Sequence, residues 1–260
     1  MTASLRLFGP LWKLRLLMVL SLSTMIVAFA ASRACALDDG PVVPRVMSIG
    51  GSCVKCDLDT RNLTGARFMG GQFQEASFVG SSLKGASFTG SNFSGADLAH
   101  ADLRGATMFG ANFRGADFSG ALMTGVRATG TDFADADLEG AKLDHAMFEG
   151  ADFRGVNAAG AHFDGARLMA SVLTAGDFGG ASFRDADLFS AVLTGGHFSG
   201  ADFKGARLHG AMIGGADLSD ALNLTRDQVS EACADHATRL PPGLVARSCG
   251  GHLIMFRHLP

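Results

Sequence analysis

The sequence predicts an all-β solenoid, and three features of its central part predict it. A large apolar residue recurs at every fifth position from Leu58 to Leu218, in about 33 units without a slip of register. Only Ala128 and Ala158 are small at this central position. The residue two positions before the centre is small, and the last residue of each unit is most often glycine. A fixed period of this kind decides the architecture, because each unit can bury its apolar side chains only against its neighbours.

A period of five excludes the two regular elements. Five residues turn an α-helix through about 500°, so an apolar stripe with this spacing would drift around the helix. An extended strand alternates its side chains between two faces, so successive centres would lie on opposite sides. Each unit must therefore contain its own turn, which glycine at the last position favours. If each unit forms one side of a square, the central residue and the small residue two before it both point inward and fill a narrow tube.

The clearest units are Ala96-Asp97-Leu98, Ala116-Asp117-Phe118, Ala136-Asp137-Leu138, Ala151-Asp152-Phe153 and Ala201-Asp202-Phe203. They resemble the Ala-Asp-Leu-x-Gly units of the pentapeptide-repeat family, and the resemblance covers about two-thirds of the chain. It implies a right-handed quadrilateral parallel β-helix with twenty residues in each coil. Residues 51–222 then form about eight coils, whose two ends need caps.

The N-terminal residues predict export. Residues 1–36 have a basic start and an apolar or small run from Leu16 to Ala31, followed by the small-x-small sequence Ala34-Cys35-Ala36. These are the parts of a cleaved secretory signal peptide, which places the mature start at Leu37 and leaves residues 37–50 as a linker. An uncleaved membrane anchor is the alternative, although the apolar run is short for a membrane span. We therefore expect a periplasmic or secreted protein of the Gram-negative type, which contacts a membrane only if the signal remains uncleaved.

Four cysteines remain after cleavage: Cys53, Cys56, Cys233 and Cys249. The Cys-x-x-Cys spacing of the first pair suggests redox chemistry or zinc. The register argues against both, because Cys53 takes a central position and Cys56 takes the small inward position of the next unit. Buried thiols or a local disulfide at the first coil remain, and export favours the disulfide. The second pair would staple the C-terminal cap.

After Leu218 the repeat decays. Thr225-Arg226-Asp227-Gln228 predicts a capping box that begins a short helix, and Pro241-Pro242 forces an extended tail. Residues 223–260 are thus expected to form a C-terminal helix and an extended tail, similar to the C-terminal tail of many family members. We interpret this segment as a cap over the last coil, with a dimerisation helix as the alternative.

Coils of twenty residues stack residues twenty apart into columns. One wall carries an acidic column, formed by Asp97, Asp117, Asp137, Asp177 and Asp217. An Asp before the central residue can satisfy turn amides with its side chain, so we expect a solvated face more than a binding groove. Asp177, His197 and Asp217 share this column as conceivable metal ligands. Their spacing is not that of a tight ligand set, and we expect neither a metal nor another cofactor.

The opposite wall carries an arginine column, formed by Arg67, Arg127, Arg167 and Arg207. Outward Met and Phe side chains lie beside it, and the next wall becomes apolar late in the repeat. Outward apolar side chains on neighbouring columns mark contact sites in many proteins. The candidate interaction surface, called the apolar surface below, consists of Met169, Val172, Phe189, Val192 and Met212.

No catalytic constellation is apparent, because a filled tube offers no pocket for one. We predict a non-enzymatic exported scaffold that presents one wall to a protein or an envelope component, and a second copy of the chain is one candidate. The alternative is an acidic DNA mimic, since some cytoplasmic members of the family occupy the DNA site of gyrase as acidic dimers. The signal peptide and the arginine column argue against the mimic. Residues 57–222 carry 20 acidic and 12 basic side chains, so we expect no nucleic-acid partner.

Overall fold

The β-helix predicted from the period of five is confirmed by the pairing of the backbone. The computed structural model describes residues 51–248. Isolated parallel β-bridges join residues twenty apart, from Ser52 with Gln72 to Asp202 with Leu222. Four units therefore complete one coil, and about eight coils stack along the repeat. The predicted signal peptide (1–36), the linker (37–50) and Cys249 in the tail lie outside the described residues.

Backbone hydrogen bonds run between successive coils in a fixed pattern. The N–H of Phe78 donates to the carbonyl of Asp97 in the following coil at 2.7 Å, and the N–H of Ser77 donates to Cys56 in the preceding coil at 2.8 Å. Within a coil, the N–H of Ala96 donates to the carbonyl of Phe93 at 3.0 Å and closes the turn between two units. The N–H groups of the bridged and central residues are thus paired with carbonyls of neighbouring coils, although each unit contributes only a single bridge.

The turn explains the glycine at the end of each unit. Gly95, for example, has a φ of 66°, and glycines at the equivalent positions adopt the same left-handed conformation. Ala170 and Ala175 occupy it too, with φ values of 54° and 55°, although a Cβ makes this conformation costly. The coil therefore imposes the left-handed conformation at this position whichever residue occupies it, and glycine adopts that conformation with the least strain.

The tube is filled as the small-plus-large pattern predicts. Every central residue from Leu58 to Leu218 is at most 5% exposed, and the alanines two positions before the centres are buried with them. Phenylalanines of successive coils stack: the ring of Phe133 lies 5.7 Å from Phe113 and 5.1 Å from Phe153, with interplanar angles of 9° and 4°. The interior of the tube is therefore filled by closely packed side chains.

Four buried hydroxyls replace alanine at the small inward position, and each finds a backbone acceptor. Ser81 donates to the carbonyl of Leu58 at 2.6 Å, and Ser91 donates to Phe68 at the same distance. The remaining two, Thr131 and Ser171, donate to the carbonyls of Met108 and Leu168. A buried hydroxyl that is hydrogen-bonded costs little, so the tube tolerates these substitutions.

The predicted helical cap is confirmed. Helix α1 (Arg226–Glu231) begins after the N-cap Thr225, and a capping box joins Thr225 to Gln228. The Gln228 side chain also donates from Nε2 to the carbonyls of Phe203 and Ala206, each at 2.8 Å. Carbonyls that lack a following coil are thereby satisfied at the end of the β-helix.

The segment after α1 contains more than a helix and an extended tail. Strands β1 (Cys233–Ala234) and β2 (Arg247–Ser248) pair in parallel. Two walls of the β-helix also continue into it, because Met212 bridges Cys233 and Asp217 bridges Arg239. The five-residue sequence pattern is absent from this segment, but its backbone still stacks on the last coil of the β-helix. No helix within residues 51–248 has the length and apolar character needed to cross a membrane.

Candidate interaction surface

The apolar surface occupies two neighbouring columns near the C-terminal end of the β-helix. Val172, Val192 and Met212 lie in one wall column, where Val172 bridges Val192 and Val192 bridges Met212. Met169 and Phe189 lie in the adjacent corner column, one coil apart. Met212 is 51% exposed and Phe189 is 38% exposed, while the other three are half-buried. The structure therefore places all five predicted side chains together at the surface.

His209 extends this surface, and sequence reasoning missed it. Its imidazole stacks on the ring of Phe189 with centroids 5.5 Å apart and an interplanar angle of 12°. His209 lies twenty residues after Phe189, so the column rule contained the signal, but an ionisable residue was not counted as apolar. Another exposed apolar side chain, Leu222, is 51% exposed at the end of a different wall.

The charges beside the apolar surface are paired with one another. Arg167 Nε lies 2.9 Å from Glu149 Oε1, and Arg207 Nη1 lies 3.0 Å from Asp187 Oδ2. Arg127, further along the same column, lies with its guanidinium carbon 5.4 Å from the centroid of the Phe109 ring. The two ion pairs reduce the positive charge that the arginine column offers to an anionic polymer. They leave an apolar strip with a polar rim that is close to neutral, as is usual at protein interfaces.

The acidic column supports the turns, as expected for an Asp before the central residue. Asp97 Oδ1 accepts from the N–H two residues later at 3.0 Å, and Asp117, Asp137, Asp177 and Asp217 repeat the contact. Hydrogen bonds from Ser219, together with the Arg239 guanidinium, lower the pKa of Asp217 below its ordinary value. The carboxylates of the acidic column are therefore already engaged in hydrogen bonds to the turns.

The conceivable metal ligands of that column do not converge. Asp177, His197 and Asp217 are successive members of one column, and their ligand atoms form no three-residue group. Within residues 51–248, such a group occurs elsewhere: it comprises Asp144, His162 and Asp164.

The cysteines lie at the two ends of the β-helix. The sulfurs of Cys53 and Cys56 are bonded at the first coil, with their Cα atoms 5.4 Å apart. Cys56 is buried, as its inward position requires, whereas Cys53 is partly exposed. Cys233 is also disulfide-bonded, and its expected partner Cys249 lies outside the described residues.

These features define a repeat scaffold: a β-helix whose interior is filled and whose walls carry the chemistry. The chain belongs to the pentapeptide-repeat family, whose model matches residues 52–90, 86–125, 123–157, 151–188 and 181–220. Its fold is the right-handed quadrilateral β-helix of that family. No curated protein sequence matches the chain significantly.

The chain is similar to several solved structures of pentapeptide-repeat proteins. HetL, a pentapeptide-repeat protein involved in heterocyst differentiation regulation in the cyanobacterium Nostoc sp. strain PCC 7120, is 23% identical with a TM-score of 0.58, over 76% of this chain and 87% of HetL. A thylakoid-lumen member from Arabidopsis thaliana is 29% identical with a TM-score of 0.41, over 45% of this chain and 83% of its own. QnrB1, a plasmid-mediated fluoroquinolone resistance protein, is 21% identical with a TM-score of 0.33, over 72% of this chain and 91% of QnrB1. The likeness to HetL establishes the fold and leaves the partner to be identified.

Proposed function

We propose that this protein is a non-enzymatic scaffold, exported from the cytoplasm, that binds a protein of the cell envelope through its apolar surface. The observation that carries the proposal is the exposure of Phe189 and Met212 beside charges that are paired with one another. An exposed apolar strip with a self-neutralised rim favours a protein partner over a charged polymer. Export is inferred from the basic, apolar and small-x-small segments of residues 1–36.

The interface is tested by Phe189→Asp, with Met69→Asp as the matched control. Met69 lies in the same corner column as Phe189 and is 57% exposed, but it is several coils away from the apolar surface. Because both side chains are exposed, both variants should fold with unchanged circular dichroism. We expect Phe189→Asp to weaken binding to the envelope protein that co-purifies with the wild-type chain at least tenfold and Met69→Asp to leave it unchanged. Equal affinities for the two variants would remove the apolar surface from consideration.

Self-association is measured on the same proteins by light scattering after size exclusion. A dimer that Phe189→Asp dissociates and Met69→Asp preserves would identify a second copy of the chain as the partner. A monomer throughout would leave a different envelope protein as the partner.

Export is tested by cell fractionation and by N-terminal sequencing of the mature protein. We expect a periplasmic or secreted protein that begins at Leu37. Recovery of the full-length chain from the cytoplasm would reject export and favour the DNA-mimic alternative. Gyrase inhibition by the purified chain then distinguishes the mimic from a cytoplasmic scaffold.

A further inference from the structure

One corner of the β-helix reverses its charge pattern halfway along. In this corner column Lys84, Arg104 and Arg184 are basic, and each pairs with an Asp of the adjacent wall column. In two of these ion pairs, Arg104 Nη2 lies 2.7 Å from Asp102 Oδ2 and Arg184 Nε lies 2.6 Å from Asp202 Oδ2. In these coils the basic side chains therefore lie at the corner and the acidic side chains lie on the wall.

Two of the three coils between these pairs have the opposite arrangement, and the third carries the neutral residues Leu122 and Thr124. Asp144 and Asp164 occupy the corner column one above the other, and the wall column beside them carries Lys142 and His162. One potential ligand atom from each of Asp144, His162 and Asp164, called the His–Asp cluster below, lies within 4.8 Å of the others. Two carboxylates and one imidazole therefore converge across a corner of the β-helix.

The hydrogen bonds of the cluster leave its ligand atoms available. Asp164 accepts from the Ser182 hydroxyl and from the N–H of Arg184 at 3.3 Å, and both bonds fall on Oδ1. These contacts fix the Asp164 carboxylate and leave Oδ2 unused by either donor. Neither Asp144 nor His162 has a side-chain hydrogen bond or an ion pair with any residue between 51 and 248.

The electrostatics of this arrangement favour a cation. Two carboxylates of successive coils repel each other at this separation, and a cation placed between them removes the repulsion. Asp144 and Asp164 are half-buried, which weakens screening by water, while His162 is exposed and reaches the cluster from the adjacent wall. Hydrogen bonds from Ser182 and Arg184 hold one ligand in place, as outer-shell donors do at established metal sites.

We propose that Asp144, His162 and Asp164 bind one divalent transition-metal cation of the zinc class. The imidazole sets this class, because zinc combines nitrogen and carboxylate ligands, whereas calcium and magnesium select oxygen ligands alone. Three protein ligands leave the remaining coordination positions to solvent. The bound ion joins two successive coils at their corner, so its role is to stabilise the middle of the β-helix and to present an open coordination position outside it.

The test is a calorimetric titration of the purified full chain with Zn²⁺, repeated on His162→Gln and Asp144→Asn. Neither side chain contributes to the core or accepts a hydrogen bond within the described residues, so both variants should keep the wild-type circular dichroism. We expect each variant to bind one Zn²⁺ fewer than the wild type, or to bind that ion at least tenfold more weakly. The matched control is His197→Gln, which removes an exposed histidine from a wall column outside the cluster and should change nothing.

A second measurement separates ligation from general charge. Co²⁺ in place of Zn²⁺ should give a visible absorption spectrum whose intensity His162→Gln reduces and His197→Gln preserves. Lys142→Gln removes an ammonium from the position that bridges His162 in the sheet, so it should tighten binding of the same ion. Equal Zn²⁺ stoichiometry and affinity in the wild type, His162→Gln and Asp144→Asn would overturn the proposal.

Discussion

Replacement of Phe133 by alanine should be among the most damaging changes in the chain. Phe133 has no exposed surface, stacks on Phe113 and Phe153, and meets Phe118 and Phe148 edge to face at 5.7 Å and 5.8 Å. Truncation of a buried phenylalanine to alanine costs about 3–5 kcal/mol, because apolar contacts are lost and a cavity remains. Four aromatic neighbours held in place by the coils above and below leave little room for collapse, so we expect about 4 kcal/mol.

The measurement is denaturant unfolding followed by circular dichroism, with Phe189→Ala as the matched control. Phe189 is 38% exposed and stacks on His209, so its truncation should cost about 1 kcal/mol. A solenoid transmits damage through nearest neighbours, so hydrogen exchange should accelerate first in the coils next to Phe133. A cost for Phe133→Ala below about 1.5 kcal/mol, or one equal to that of Phe189→Ala, would refute the view that stacked central residues stabilise the coils.

Two further predictions concern single polar groups. The Arg104 hydrogen bond lowers the pKa of Asp102 to about 2, so Asp102 contributes stability above its ordinary pKa and loses it as the pH falls towards 2. Asp102→Asn should therefore lower stability at pH 7 and flatten acid unfolding between about pH 4 and pH 2, and an unchanged acid limb would contradict this. Gln228→Glu keeps a capping-box acceptor but removes the donor that satisfies the carbonyls of Phe203 and Ala206, so it should cost about 1–3 kcal/mol at pH 7. The loss should shrink at a lower pH, where the introduced carboxyl is protonated and can donate a hydrogen bond. An equal loss of stability at pH 7 and at that lower pH would reject the role of these two bonds.

The sequence predicted the coil because the features that build it repeat in every unit. Turn, inward pair and glycine position each follow from a period that neither a helix nor a strand can have. The prediction of the columns also required the number of residues per coil. The family resemblance supplied that number, twenty, and the bridge between Asp97 and Asp117 agrees with it. Once that number is known, the sequence shows that the corner column of Met169 and Phe189 lies beside the wall column of Val172.

Apart from His209, which the column rule could have found, what sequence reasoning missed lies between columns or beyond the repeat. Asp144 and His162 are eighteen residues apart and converge across a corner, so a comparison of residues twenty apart does not pair them. The bridge from Asp217 to Arg239 is similar, since the intervening helix breaks the spacing while the backbone still stacks. Side-chain reach and the path of an irregular segment decide such contacts, and neither is periodic.

The pairing of each residue with the one twenty positions later gives copy number a geometric meaning. Loss of one whole unit would keep the inward pair intact but move every later residue onto the neighbouring wall. The acidic column would then be followed, in the next coils, by side chains that now belong to another wall. Loss of four units would shorten the β-helix and keep every face in line. Interior packing therefore tolerates changes in steps of five, whereas a surface that spans several coils, such as the one formed by Met169, Phe189 and Met212, tolerates them only in steps of twenty.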